Sequence, residues 1–129
     1  MNNIPPKLRR LLEANPYYKM CARAGDGACA GRITWEHAII YAGRQVQEVW
    51  AIIPLCKRHH NIEEYQTSGS LDKQINVFIA LSRATPEDLK KYPREDWGQM
   101  KKRVIFIIRK RYGINTKIVW LNEQRRVSI

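Results

Sequence analysis

Cysteine is scarce in this chain: three residues among 129, an odd number. A disulfide framework is therefore not expected, and a reducing compartment is the natural reading. Long apolar runs are missing too. Nothing approaches the roughly 18–20 residues of a bilayer-spanning helix, so no membrane partner is expected. Residues 1–10 hold no apolar leader core, so no secretory signal is expected and the location reads as cytoplasmic. Internal repeats and low-complexity tracts are absent, and seven glycines and six prolines exclude a collagen-like chain. Acidic side chains are also few, 12 against 23 Lys and Arg.

What is present starts with that charge. The net charge is +11 and the isoelectric point about 9.9. Residues 1–65 carry 9 basic and 6 acidic side chains, whereas residues 66–129 carry 14 and 6. A strongly basic domain with clustered cations has the electrostatic footprint of a nucleic-acid binder; a need for solubility or an acidic protein partner would produce the same charge. The length fits a single domain over residues 1–129.

Residues 5–14 read as a short helix entered through two prolines, with Leu8, Leu11 and Leu12 on one face and Asn15-Pro16 as its stop. Gly25-Asp26-Gly27 signals a turn. Residues 32–40 and 49–55 read as strands, the second a nearly continuous apolar run with Pro54 near its end. A helix is expected from Lys57 to about Gln66.

The second half reads as helical. Ser70 is placed to cap a helix over 71–83 with Ile75, Phe78, Ile79 and Ser82 on one side. Thr85-Pro86 opens another, and Asp96 to Gln99 forms a capping box for a third that ends at Tyr112-Gly113. Its apolar stripe is Trp97, Met100, Val104, Ile107 and Ile108. Lys101, Lys102, Arg103, Arg109, Lys110 and Arg111 fall largely elsewhere on it. Residues 117–121 suit a last strand, followed by Arg125-Arg126. The expected class is α+β, with a helical basic extension over residues 70–113.

All three cysteines and all three histidines lie between residues 21 and 60: Cys21, Cys29, His37, Cys56, His59 and His60. Cys56 and His59 have the C-x2-H spacing that reaches one ion from a turn running into a helix. Cys21 and Cys29 flank the Gly-Asp-Gly turn and can complete a closed, structural Cys3His zinc site. The alternative is three buried free thiols. Adjacent residues on a helix point about 100° apart, so His59 and His60 can serve different ions. A carboxylate plus an imidazole can hold a divalent cation with open water positions, and an unligated imidazole can deprotonate water. Glu36, His60 and His37 suit those roles in that order, against the alternative of packed or surface histidines.

Glu36-His37, then Ile52-Ile53-Pro54-Leu55, then Cys56-x2-His59-His60-Asn61, resembles the HNH endonuclease family, the ββα-metal or His-Me finger class. The resemblance covers residues 21–66. It implies a ββα-metal finger embedded among helices, and a metal-dependent nuclease acting on DNA. His37 would be the general base. Glu36 and His60 would hold a catalytic cation such as Mg2+ or Mn2+, and Cys21, Cys29, Cys56 and His59 the structural Zn2+. Lys101, Lys102, Arg109 and Lys110 are the expected phosphate-binding residues. An origin in phages or mobile elements, acting in a bacterial or phage-infected cell, also follows from the resemblance. The chain departs from the pattern in three places. The first cysteine pair is C-x7-C, Glu36 stands where Asp is usual, and Ala51 stands where the family places an Asn that orients the base. Gln45, Gln47 and Trp50 are the candidates for that bracing role. With the base unbraced, the fold would serve as a non-catalytic, zinc-containing DNA-binding protein.

Overall fold

A computed structural model describes residues 4–24, 29–64 and 71–112, excepting the side chains of residues 61–64, 71–72 and 111–112. The expected cap at Ser70, the stop at Gly113, the strand over 117–121 and the tail arginines lie outside the described residues. The fold is mixed α+β with two small antiparallel sheets.

Helix α1 spans Pro6–Ala14. Its prolines sit where helical N–H groups have no internal partner, so their missing donors cost nothing there. Leu8 and Leu12 are buried one turn apart, but Leu11 is 53% exposed, which corrects the expected three-leucine face. The buried row runs i to i+4, and Leu11 lies about 80° off its mid-line. A 3₁₀ turn over Pro16–Lys19 follows, capped by Asn15 Oδ1, which accepts from the Tyr17 amide at 3.0 Å.

Strand β1 (Ile33–His37) pairs antiparallel with β4 (Ile52–Cys56), Ile33 opposite Cys56 and His37 opposite Ile52. Between them lies a hairpin of β2 (Ile40–Tyr41) and β3 (Arg44–Gln45). Its two loop residues, Ala42 and Gly43, both take positive φ, the geometry whose twist matches a tight hairpin. Residues 49–51 form a 3₁₀ turn rather than the start of the expected strand. The turn buries Trp50 and Ala51 in the core, and an apolar run alone does not separate a buried turn from a buried strand.

Pro54 is also not at the strand's end but at its middle, opposite Trp35. Its carbonyl accepts from the Ala22 amide at 2.7 Å, so this edge of Pro54 faces away from β1. In an antiparallel ladder a residue's N and C=O point to the same side, so the missing N–H removes no β1–β4 bond.

Helix α2 (Lys57–Glu64) continues directly from β4 and packs back on both strands. Helices α3 (Leu71–Arg83), α4 (Pro86–Lys90) and α5 (Trp97–Tyr112) complete the described chain. Thr85 and Asp88 form a reciprocal capping box on α4. Asp96 Oδ1 accepts from the Gln99 amide at 3.0 Å at the start of α5. α3 packs along α5 and against β4. Ile52, Ile53 and Leu55 of β4, Ile75, Phe78 and Ile79 of α3, and Val104 and Ile108 of α5 belong to one core.

Candidate metal centre and basic–acidic cleft

The first site forms where β4 becomes α2. The opening amides of a helix have no partner inside it. Here the Lys57 amide donates to Arg32 O at 2.9 Å and the Arg58 amide to Ala30 O at 3.1 Å. The His59 amide and the Ala30 amide donate to the Cys56 sulfur. One short segment, residues 30–32, thus caps α2 and lays Cys29 beside it. Gly31 makes this possible: its φ is +85°, and a Cβ there would lie 2.8 Å from Lys57 Cβ.

Cys21, Cys29, Cys56 and His59 converge, their ligand atoms all within 4.8 Å of one another. His59 Nδ1 lies 3.4 Å from Cys21 Sγ, 3.7 Å from Cys29 Sγ and 3.1 Å from Cys56 Sγ. A tetrahedral zinc with Zn–S near 2.3 Å and Zn–N near 2.0 Å separates its N and S ligands by about 3.5 Å, so this donor set fits the ion. Burial pushes the Cys21 thiol up to about 12 and raises Cys29 as well. Burial acts on Cys56 in the same direction, but the amides of His59 and Ala30 and the neighbouring thiols outweigh it, and its pKa falls below the ordinary thiol value. A thiolate at a helix start is the natural first ligand for a cation. The cluster can hold a metal ion in a closed, four-ligand shell, which is the form of a structural site.

Gly31→Ala is expected to destabilise the fold by about 2 kcal/mol, from left-handed backbone strain and the clash with Lys57. Zinc retention should weaken with it. Thermal melting and metal analysis of the variant check both; an unchanged melting temperature and full zinc content would contradict this role.

The second site lies at the end of β1. Side chains alternate along a strand, so Thr34 and Glu36 share one face. On that face His60 Nε2 is 3.6 Å from Glu36 Oε1. The Thr34 hydroxyl gives its one proton to Leu55 O at 2.9 Å. It is therefore the acceptor in its 2.6 Å contact with His60 Nδ1, which must carry the hydrogen. In the neutral ring this leaves the Nε2 lone pair toward a carboxylate. Two acceptors facing each other call for a proton or a cation between them. At ligand distances near 2.1 Å, an O···N separation of about 3.0–3.6 Å spans two adjacent positions around one ion, so the pair fits a divalent cation. The other Glu36 oxygen, Oε2, lies 3.6 Å from Lys73 Nζ on α3.

His37 is buried, and its Nε2 sits 2.9 Å from Gln47 Oε1. The amide oxygen only accepts, so Nε2 carries the hydrogen and Nδ1 the lone pair. Nδ1 is buried with no hydrogen-bond partner among the described residues. Of the three candidates for the brace, Gln47 makes this bond. Trp50 instead donates to Glu48 Oε1 at 3.3 Å. Glu36 and His37 both line a cavity of about 290 Å³, together with Lys73, Asn76, Val77 and Met100. It is far larger than one water needs. Thr34 and Lys73 went unnoticed in the sequence. Thr34 carried one signal, its position two residues before Glu36; Lys73 carried none.

The third feature is the outer face of α5. At about 100° per residue, Lys102, Arg103, Arg109 and Lys110 fall within about 60° of one direction, opposite the buried Trp97, Val104 and Ile108. All four are exposed. Lys101 is half-buried and lies about 140° from that direction, beside the buried stripe. Three of the four expected phosphate-binding residues share the outer face with Arg103, and Lys101 does not.

In comparisons with known proteins, the chain matches no family model, no curated protein and no solved structure.

Proposed function

We propose that the chain is a metal-dependent endonuclease of the HNH type, hydrolysing DNA phosphodiester bonds with His37 as general base. The observation that carries this reading is the Thr34–His60–Glu36 arrangement. It sets His60 Nε2 against a carboxylate, an arrangement that a cation between them would satisfy, and borders the cavity that His37 lines. The order of strand, strand and helix in β1, β4 and α2, with the Cys3His cluster at their junction, is what the family resemblance implies and supports the same reading.

Glu36 and His60 would hold a divalent cation such as Mg2+ or Mn2+, which supplies charge neutralisation at the scissile phosphate and the departing oxygen. The chain's own residues do the rest. Thr34 holds the His60 ring in the tautomer that leaves Nε2 free to ligate, as outer partners of metal histidines do. Gln47 holds the proton of His37 on Nε2, which leaves Nδ1 to accept one from water as it attacks phosphorus. A zinc held by Cys21, Cys29, Cys56 and His59 would lock α2, and with it His60, onto β4.

A second reading is a non-catalytic, zinc-containing DNA-binding protein derived from the same fold. One observation favours it: the Lys73 ammonium beside Glu36 neutralises part of the charge that a cation would meet. Cleavage of plasmid and of circular single-stranded DNA by zinc-loaded protein with added Mg2+ or Mn2+ separates the two. Nicking that requires the added cation supports the nuclease; salt-sensitive binding without nicking selects the second reading.

In either case the outer face of α5 is the expected phosphate contact. Alanine at Lys102, Arg103, Arg109 or Lys110 should lower the slope of log affinity against log salt by up to about 0.9 per lost contact. Lys101→Ala should change it much less. Equal effects at Lys101 and Lys102 in a salt titration would contradict this assignment.

A further inference from the structure

Phe106 stands at the centre of the basic face of α5 and is 67% exposed, the largest exposure among the described large hydrophobic side chains. It takes no part in the core, which α5 meets through the opposite side. Lys102 and Arg103 lie one turn before it and Arg109 and Lys110 one turn after. A helix needing only solubility or phosphate attraction here would carry a polar side chain at that position. Four cations around one aromatic ring instead match the two chemistries of an unpaired strand, backbone charge and open base faces.

We propose that this face binds single-stranded nucleic acid, with Phe106 as the platform on which an unstacked base lies and Lys102, Arg103, Arg109 and Lys110 holding the phosphates on either side. Intact duplex fits less well. Its bases are stacked inside, and a ring at the centre of the contact would meet charged phosphate oxygens and stay wet. A strand with at least one unpaired base offers Phe106 an apolar, π-bearing partner. The inference rests on the nucleic-acid reading above and deepens it by naming the substrate class: single-stranded or splayed DNA.

The test uses the full, zinc-loaded chain without other divalent cations, so that no cleavage intervenes. Binding to labelled oligo(dT) and to a hairpin duplex of equal charge is followed by anisotropy. Wild type is expected to prefer oligo(dT). Phe106→Ala should weaken oligo(dT) binding by about 5-fold to 100-fold, leave duplex binding and the salt slope unchanged, and be rescued by Phe106→Trp. Equal weakening on both DNAs, or none on either, would overturn the proposal. So would a wild-type dimer that Phe106→Ala converts to monomer, because the ring would then cover a second copy of the chain. Metal-dependent cleavage with no single-strand preference would remove this inference alone. Single-strand preference with no cleavage under any cation would remove the nuclease reading alone.

Discussion

Replacing His37 by alanine should lower phosphodiester cleavage by about 100-fold or more, the scale of a lost general base. DNA affinity, zinc content and folding should change little. The reason is positional: His37 touches none of the Cys3His ligands in the described contacts, and its ring bonds to Gln47, not to Glu36. His60→Ala should also lose cleavage, by a different route. Its loss would remove one of the two proposed cation ligands, so raised Mn2+ should recover part of the activity, while His37→Ala stays inactive at every concentration. Steady-state cleavage of the two variants across Mn2+ concentrations checks the contrast. Equal activity of wild type and His37→Ala would remove His37 from the mechanism.

Withdrawing zinc should have the largest effect on folding. A structural zinc contributes on the order of 10–16 kcal/mol in small isolated fingers, comparable to the whole stability of a domain this size. The expected damage is regional. Cys29 is held to α2 through the cluster and through the carbonyls of Ala30 and Arg32, so residues 29–32 and α2 should open. The segment before Cys21 has a staple of its own. The Tyr18 hydroxyl lies against Val49 O and Ile52 O, and Arg83 donates to it at 2.5 Å while its guanidinium sits 3.8 Å over the Tyr17 ring. Hydrogen exchange after chelation should therefore rise sharply across α2 and residues 29–32 and much less across α3. Cys56→Ser should reproduce the pattern. A metal-free chain with unchanged exchange and melting temperature would contradict the role assigned to the cluster.

The parts of this fold that are governed locally were legible in the sequence. Thr85-Pro86 and Asp96 start helices because their side chains and backbone meet the first free amides a few residues away. The span of α3 followed from the Ser70 cap signal together with its apolar spacing. The convergence of Cys21, Cys29, Cys56 and His59 into one cluster that can hold a metal ion was legible because soft ligands crowded into one third of the chain are rarely idle. What the sequence concealed depends on distant partners. Pro54 sits in mid-strand because its unpaired edge meets Ala22, a contact across more than thirty residues. Leu11 faces outward because only the Leu8–Leu12 row meets the core. Lys73 approaches Glu36 only once α3 has packed against β4. Gln47 was one of three equal candidates until the fold set its Oε1 2.9 Å from His37 Nε2. Gly31 carries no motif, and its necessity appears only when Lys57 is beside it.

If Glu36 and His60 form the proposed cation site beside His37, the zinc-loaded chain should bind Mn2+ there. Electron paramagnetic resonance on the desalted protein should show one bound Mn2+ per chain in wild type and in His37→Ala, and weakened binding by tenfold or more in Glu36→Gln and His60→Ala. Wild-type protein that retains its zinc and binds no Mn2+, or binds it equally well without Glu36 and His60, would show that these two residues hold no cation.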